Sequence, residues 1–467
     1  MTDIKPTNST SKNKSTLILN EASGGIEVFI PDENLAENIK RVLSLSDDDL
    51  ITDIQLERLV SFAAVSSNIK SIEGLQYAIN LESLYLNDNR VENLSPLSGL
   101  NKLLSLTLDG NELEDISTLK NVPSLKSLFI NKNKIKNISN LNDFVNLEII
   151  GADNNDISDI SALTALTKMT QFSFANNNIK DISVVSCYED INGIYFSSNP
   201  IENIEVLRGK NTLQIAVLNN IGISDFSPLA SNTNLGRIEI SENNVEDISF
   251  LVKSKNSIIR LVAQYNKISS LESLSGAGNL NFVAIDYNQI VEVSPLSDCN
   301  SLQLLSISGN AISDLSSINR NIMSLYVSFN PIADFSPLSN LNKLTLLSAE
   351  SCSIDDASFI NSIENIATVY VNNNKITDLS NLDVSNNVSI YANNQRIVLP
   401  DGQLDSDTSL SLFQPGHVVP PIEWVTEGVY DEKNESIRWS NEGDNALSWM
   451  VVSQNLQFTG DLSQVVV

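Results

Sequence analysis

The sequence is short of the residues from which most enzyme sites are made. Among 467 residues there is one histidine, His417, on the run Pro415-Gly416-His417. Ser/His/Asp or Cys/His catalysis would have to use it alone, far in sequence from every cysteine. The three cysteines, Cys187, Cys299 and Cys352, lie 112 and 53 residues apart, which fits no metal motif. Neither a P-loop nor a G-x-G-x-x-G fingerprint is present. These absences argue against an enzyme and point to no cofactor and no metal. Nothing approaches the roughly 18 consecutive apolar residues of a membrane span. Residues 1–25 are rich in Ser, Thr, Asn and Lys, lack the apolar core of a signal peptide and read as a disordered segment. The C-terminal Gln464-Val465-Val466-Val467 carries no wall-anchor motif and no polybasic tail. Positive charge is scarce: 29 Lys+Arg against 57 Asp+Glu leave a net charge of -28. Such a surface repels phosphate backbones and anionic headgroups, which argues against nucleic acid and membrane as partners. It serves solubility, or steering toward a basic patch on a protein.

What the sequence has in abundance is a repeat. Residues 81–97 read LESLYLNDNRVENLSPL, and residues 103–119 read LLSLTLDGNELEDISTL. The shared template is L-x-x-L-x-L-x-x-N-x-I-x-D-I-S-x-L. Its Asn falls at Asn68, Asn89, Asn111, Asn133, Asn155, Asn177 and Asn199, then at Asn243, Asn266, Asn288, Asn310, Asn330 and Asn374. The step is 22 residues except for single steps of 20, 21 and 23, and Ile221 and Cys352 stand where Asn is expected. About fifteen turns result over residues 67–394, the pattern of a leucine-rich-repeat solenoid. The cysteines would then lie repeats apart, too far to pair.

The spacing has a chemistry. In L-x-L the two apolar side chains share one strand face and the residue between faces the other way. One strand per turn builds a parallel sheet on the concave side. The chain then bends, and a stack of buried Asn amides can satisfy the backbone groups turned inward. Cys352 can fill the slot as a small hydrophobe with a weak donor. Ile221 cannot hydrogen-bond, so its turn is expected to be irregular, with Asn220 substituting. Pro96, Pro228, Pro295 and Pro337 recur in S-P-L at one phase, which suits a turn or a short 3-10 segment on the convex side.

Open solenoid ends expose core, so caps are required. Residues 26–66 read as a helical N-terminal cap. Pro31 suits a helix start, with Leu35, Ile39, Val42 and Leu43 at helical spacing, and Thr52-x-x-Gln55 signals a second short helix. Asp47-Asp48-Asp49 between them is either a solvated loop or a calcium site. Residues 395–467 carry all three tryptophans, Trp424, Trp439 and Trp449, among short β-prone runs. They read as a small all-β sandwich with the tryptophans in its core and junction.

At this point the chain resembles the bacterial internalins, from residue 26 to 467. The cap reads Ile30-Pro31-Asp32-Glu33-Asn34-Leu35-Ala36, Ile72-Glu73-Gly74-Leu75-Gln76-Tyr77 opens the repeats, and D-I-S-x-L recurs within them. Asn394-Gln395-Arg396-Ile397-Val398-Leu399-Pro400 then leads into the β-domain. The resemblance implies an immunoglobulin-like C-terminal domain and a secreted or surface protein of a Gram-positive bacterium. It also implies binding of a host or other protein receptor through the concave face.

That face can be enumerated from the repeat alone. The middle residues of L-x-L include Tyr85, Phe129, Tyr195, Tyr326 and Tyr370. Asn87, Asp109, Asn131, Asp153, Asn219, Asp286 and Glu350 flank them two positions on, and Tyr265, Tyr287 and Phe329 follow at the sheet edge. Exposed aromatics are typical protein-interface anchors; the same residues can also pack laterally on one another. The expectation is a monomeric protein-binding module with these aromatics as its site, tied to adhesion or virulence. Two other readings stay open. One is an intracellular regulatory scaffold, since some eukaryotic repeat proteins share the 22-residue turn; the other is a bacterial surface structural protein without a host receptor.

Overall fold

The structure, a computed structural model, describes residues 19–20, 25–382 and 388–467. Residues 1–18 and 21–24 of the N-terminal segment lie outside the described residues; Leu19–Asn20 pairs antiparallel with Gly25–Ile26. The chain divides into two compact units after Tyr188. The division falls inside the repeats, where each turn is held by its neighbours alone. No helix among the described residues is long and apolar enough to cross a membrane.

The first unit begins with the helix Glu33–Leu43. Asp32 is its N-cap, accepting from the Leu35 N–H at 3.1 Å. Pro31 therefore lies one residue before the cap and is not the first helical residue. Leu35, Ile39 and Leu43 are buried, whereas Val42 is exposed and lies off the apolar face. The second Asp32 oxygen accepts from the Lys70 and Ser71 N–H groups at 2.7 and 3.0 Å, tying this helix to the first turn. Burial opposes the charge, but the N–H groups of Ser71, Lys70, Leu35 and Asn34 outweigh it and hold Asp32 below the usual carboxylate range. Thr52 and Gln55 close a reciprocal capping box on the short helix Asp53–Leu56. Three-residue strands then pair in parallel, one per turn, from Ser61–Ala63 to Gln171–Ser173.

The second unit continues the same pattern from Gly193–Tyr195 to Thr368–Tyr370, ending on the longer strand Ser389–Val398. In both units the template leucines are buried; Leu84, Leu86, Leu305 and Leu325 have no exposed surface. The return path carries short 3-10 segments, and the four S-P-L prolines sit in the first turn of Ser95–Leu97, Ser227–Ser231, Ser294–Leu296 and Ser336–Asn340. The D-I-S phrase has its own reason. Asp115, Asp159, Asp181 and Asp247 each accept the N–H of the serine two residues on, at 2.7–2.8 Å, which turns the chain into the return segment.

The asparagine ladder is built as the spacing requires. The Asn111 amide donates to Leu86 O and Leu108 O, both at 2.9 Å, and accepts from the Val91 N–H at 2.9 Å. Asn89, Asn133, Asn155 and Asn177 repeat this in the first unit. Asn243, Asn266, Asn288, Asn310, Asn330 and Asn374 do so in the second, where Asn199 donates to Phe196 O at 3.0 Å. Asn68 is not a rung. It is exposed with φ 58°, because the 22-residue step from Asn89 leads back to Ser67. Cys352 fills its slot as a donor, its Sγ 3.4 Å from Val327 O and Glu350 O. The turn at Ile221 is regular, correcting the expectation. Ile215–Val217 pairs in register on both sides, Ile221 is buried, and Asn220 stays exposed. The donor that an asparagine in this slot would have bound, the Ile201 N–H, bonds instead to Asn199 O at 2.9 Å.

The period does not stop at Asn394. Gln395 is fully buried and forms a further rung, donating to Val371 O at 3.0 Å and accepting from the Ile376 N–H at 2.9 Å. The strand Ser389–Val398 also pairs with Leu456–Val466, which continues antiparallel through Gly443–Val452 to Ile422–Trp424. A second sheet contains Thr408–Ser409, Ser436–Trp439 and Gly428–Asp431. Trp439 and Trp449 are buried, and Trp424 meets Trp439 edge-on at 5.6 Å.

Candidate binding surface

On the sheet face opposite the core, alternation of the strand places two outward columns and the bend adds two more. The middle column holds the expected residues. In the first unit Tyr85 and Phe129 stand in register with Thr107 between them, and Tyr85 is exposed. Phe129 lies over Gly151, where a Cβ would come within 2.9 Å of its ring. In the second unit Tyr195 starts the column, and Tyr326 and Tyr370 flank Ser348. Tyr370 stacks at 4.8 Å on Tyr391, an aromatic of the next strand.

The edge column is the more unusual. Tyr265, Tyr287 and Phe329 are 55%, 42% and 50% exposed. The Tyr265 and Tyr287 rings stack at 4.7 Å and 7°, and Phe329 continues the strip at 6.5 Å from Tyr287. Gly309 makes the continuity possible. Its φ is 64°, and a Cβ there would lie 2.5 Å from Tyr287 Cδ1. The three aromatics themselves have φ of 54°, 55° and 58°. The same position in other turns is occupied mostly by Asp88, Gly110, Asn154, Asn176, Ser198, Asn220, Ser351 and Asn373, and also by Lys132 and Glu242, all with positive φ. Bulky side chains in the left-handed region are genuine outliers, and such outliers collect at ligand-contacting sites.

Between the two aromatic columns runs a second hydrogen-bonded ladder. Asp109 accepts from the Asn131 N–H and Nδ2 at 2.8 and 2.9 Å, and Asn131 in turn accepts from the Asp153 N–H at 2.7 Å. Asp153 accepts from the Ala175 N–H at 2.7 Å and the Ser173 hydroxyl at 2.6 Å. In the second unit Asp286 takes the Ser308 N–H and the Ser306 hydroxyl in the same way, and Glu350 accepts from Asn372 Nδ2 at 2.9 Å. These acids and amides are therefore tied to the sheet. Burial pushes Asp109 above the ordinary carboxylate range, with repulsion from Asp153 and Asp88 adding to it against the Asn131 hydrogen bonds.

Comparison with solved structures places this geometry. An internalin, InlF of Listeria monocytogenes, is 28% identical, over 73% of this chain and 95% of that one, with a TM-score of 0.59. This is an internalin-like leucine-rich-repeat protein. The functional domain of InlJ of Listeria monocytogenes, which includes a cysteine ladder, is 20% identical over 94% of this chain and 97% of that one, with a TM-score of 0.57. A leucine-rich-repeat protein of Leptospira interrogans is 17% identical over 72% and 97%, with a TM-score of 0.59. The last two show the fold alone. No protein-family model and no curated protein matches the sequence.

The internalin-like face has residues that the repeat reading passed over. The residue two before each middle position faces the same way, a direct consequence of the strand's period of two. This adds Arg237, Arg260, Phe282, Leu304 and Leu346. Arg260 lies 3.7 Å over the Phe282 ring and, with Arg237, pairs with Glu239 at 3.2 and 2.9 Å. Outside the face, His417 stacks on Phe413 at 3.9 Å. Asp49 accepts from the Ser46 N–H at 2.6 Å, and no group of three or more His, Cys, Asp or Glu among the described residues is arranged to hold a metal.

Proposed function

We propose that this is a non-enzymatic module of internalin type that holds a protein receptor on the outward face of its repeat sheet. Tyr265, Tyr287 and Phe329, with Tyr326, Tyr370 and Tyr195, are the anchors in the second unit, and Tyr85 and Phe129 serve in the first. One observation carries the reading. Three large aromatics occupy a strained backbone position that elsewhere holds mostly Asn, Asp, Ser or Gly, with Lys132 and Glu242 as the other exceptions, and they remain half exposed. Stacking offsets the strain for Tyr265 and Tyr287 but not for the tilted Phe329. A monomer, secreted or held at a bacterial surface and acting in adhesion or virulence, fits such a face. On this reading the C-terminal two-sheet region is an immunoglobulin-like support.

The test replaces all three edge aromatics by Asn, the residue that Asn154, Asn176 and Asn373 show to be at ease there. Immobilised wild type and triple variant are used to capture proteins from host-cell membrane extracts. The expected result is a defined protein retained by the wild type and lost by the variant, with no fall in melting temperature. Equal retention by both would sink the proposal.

A further inference from the structure

On the flank of the second unit, beginning at the edge residue Phe329, two neighbouring turns lack links that most others have. In regular turns the residue after each ladder position donates across to the previous turn, as Gln289 N–H does to Ile268 O and Lys375 N–H to Ile354 O, at 2.9 and 2.8 Å. The ladder amide itself accepts from the same previous residue, as Asn374 does from the Ile354 N–H at 3.1 Å. At Ile332 neither link forms among the described residues. Cys352 offers no amide oxygen to its N–H, and Ser353, with φ 62°, makes no N–H bond to Ile332 O. A groove of about 1090 Å³ lies here between residues 329–336 and 351–362.

Its chemistry is one-sided. Ile332, Phe335 and Ile354 are buried in its walls, and Phe335 stacks on Phe359 at 4.9 Å. Asp334, Asp355 and Asp356 stand exposed along its edges, and no Lys, Arg or His lines it. A second copy of a chain with a net charge of -28 would be repelled from this groove. An apolar group with a cation beside it would be matched on both counts.

We propose that this flank groove takes a short segment of a partner polypeptide in which an aromatic or branched aliphatic side chain lies next to a lysine or arginine. The apolar side chain sits against Phe335 and Phe359, and the cation sits between Asp334 and Asp355. The groove meets the aromatic strip at Phe329, which borders both, but the groups assigned to binding here, Phe335, Phe359, Asp334 and Asp355, lie outside the strip.

The experiment uses the full chain with labelled isoleucine methyl groups and follows Ile332 and Ile354 by NMR. The probe is the capped tripeptide Lys-Phe-Arg, with Glu-Phe-Glu as comparator. Saturable shifts of those two methyls with the basic peptide alone are expected. Ala333→Trp, which fills the mouth from an exposed position, should abolish them. Asp355→Lys should weaken binding about fivefold, the effect of reversing one partly solvated ion pair. The variant lacking the edge aromatics at 265 and 287 should bind like the wild type, which keeps this site distinct from the receptor face. Absence of saturable shifts, equal shifts with the acidic peptide, or undiminished binding by Ala333→Trp would each overturn the proposal.

Discussion

A left-handed backbone costs a side chain with a Cβ about 1–2 kcal/mol, whereas Asn bears it with much less. Against that cost stands ring stacking, worth about 0.5–1.5 kcal/mol for a well-arranged pair. For Tyr265 and Tyr287, stacked at 4.7 Å, the two roughly cancel. Phe329 is tilted and 6.5 Å from its neighbour, so strain release should win. Phe329→Asn is predicted to raise the urea midpoint while weakening receptor capture. A lower midpoint would mean that the ring is structural. Asp109 gives a pH prediction. Its folded-state pKa is raised, so its ionised form disfavours folding above that pKa and costs nothing below the unfolded value, about 3.9. Asp109→Asn keeps the acceptor for Asn131. It should stabilise at neutral pH, with the gain shrinking as pH falls and gone below about pH 4. A pH-independent difference in denaturation midpoint would refute the charge argument. At this scale the aromatics were legible in the sequence, and so were the residues that share their phase, mostly the turn-formers Asn, Gly, Ser and Asp with Lys132 and Glu242 among them. That tyrosine and phenylalanine would be forced into the same left-handed bend became legible only with the backbone.

At the scale of one turn, the ladder shows why a break in the pattern need not break the fold. Asn-Pro-Ile occurs at Asn199-Pro200-Ile201 and at Asn330-Pro331-Ile332, and in both cases the next ladder position is not Asn. After Asn199 the Ile201 N–H has turned back onto its own segment, so Ile221 leaves no donor stranded there. The expectation of an irregular turn followed from treating residue 221 alone, without the turn that precedes it. After Asn330 the substitution is Cys352, which keeps the donor half of the amide and loses the acceptor half. Cys352→Asn should therefore add a hydrogen bond from the Ile332 N–H and stabilise by about 1 kcal/mol. It should also draw the two turns together and narrow the groove. The measurements are the urea midpoint and the protection of the Ile332 amide from hydrogen exchange. A destabilised variant, or an amide that exchanges as before, would show that the slot at 352 differs in shape from the other rungs. The second ladder, through Asp109, Asn131 and Asp153, was visible in the sequence as a stripe of acids and amides. Its role was not, because polar side chains at an outward phase look the same whether they meet solvent or the neighbouring backbone.

At the scale of the second unit, the repeats and the C-terminal sheets share a strand and cannot be cut between residues 394 and 395. Composition marks a change there because Asn gives way and tryptophan appears. Yet Gln395 keeps the amide that the ladder needs, and Ser389–Val398 pairs with Thr368–Tyr370 on one side and with Leu456–Val466 on the other. An end of a parallel sheet is a row of unpaired backbone groups, and Leu456–Val466 covers it by joining the ladder. The contact is tight at Gly460, where a Cβ would lie 2.6 Å from Trp449 Cη2 and 2.7 Å from Gln395 O. Gly460→Ala must move either the tryptophan or the shared strand, an overpacking cost of about 1–3 kcal/mol. If the two regions are one cooperative block, this change should speed hydrogen exchange in peptides covering Trp449–Gly460 and, to a similar degree, at the Ile376 amide, which reaches Gln395 from the last repeat. If exchange quickens only in the C-terminal sheets while the Ile376 amide is unaffected, the shared strand is a seam between separately folding parts and not the brace proposed for the receptor face.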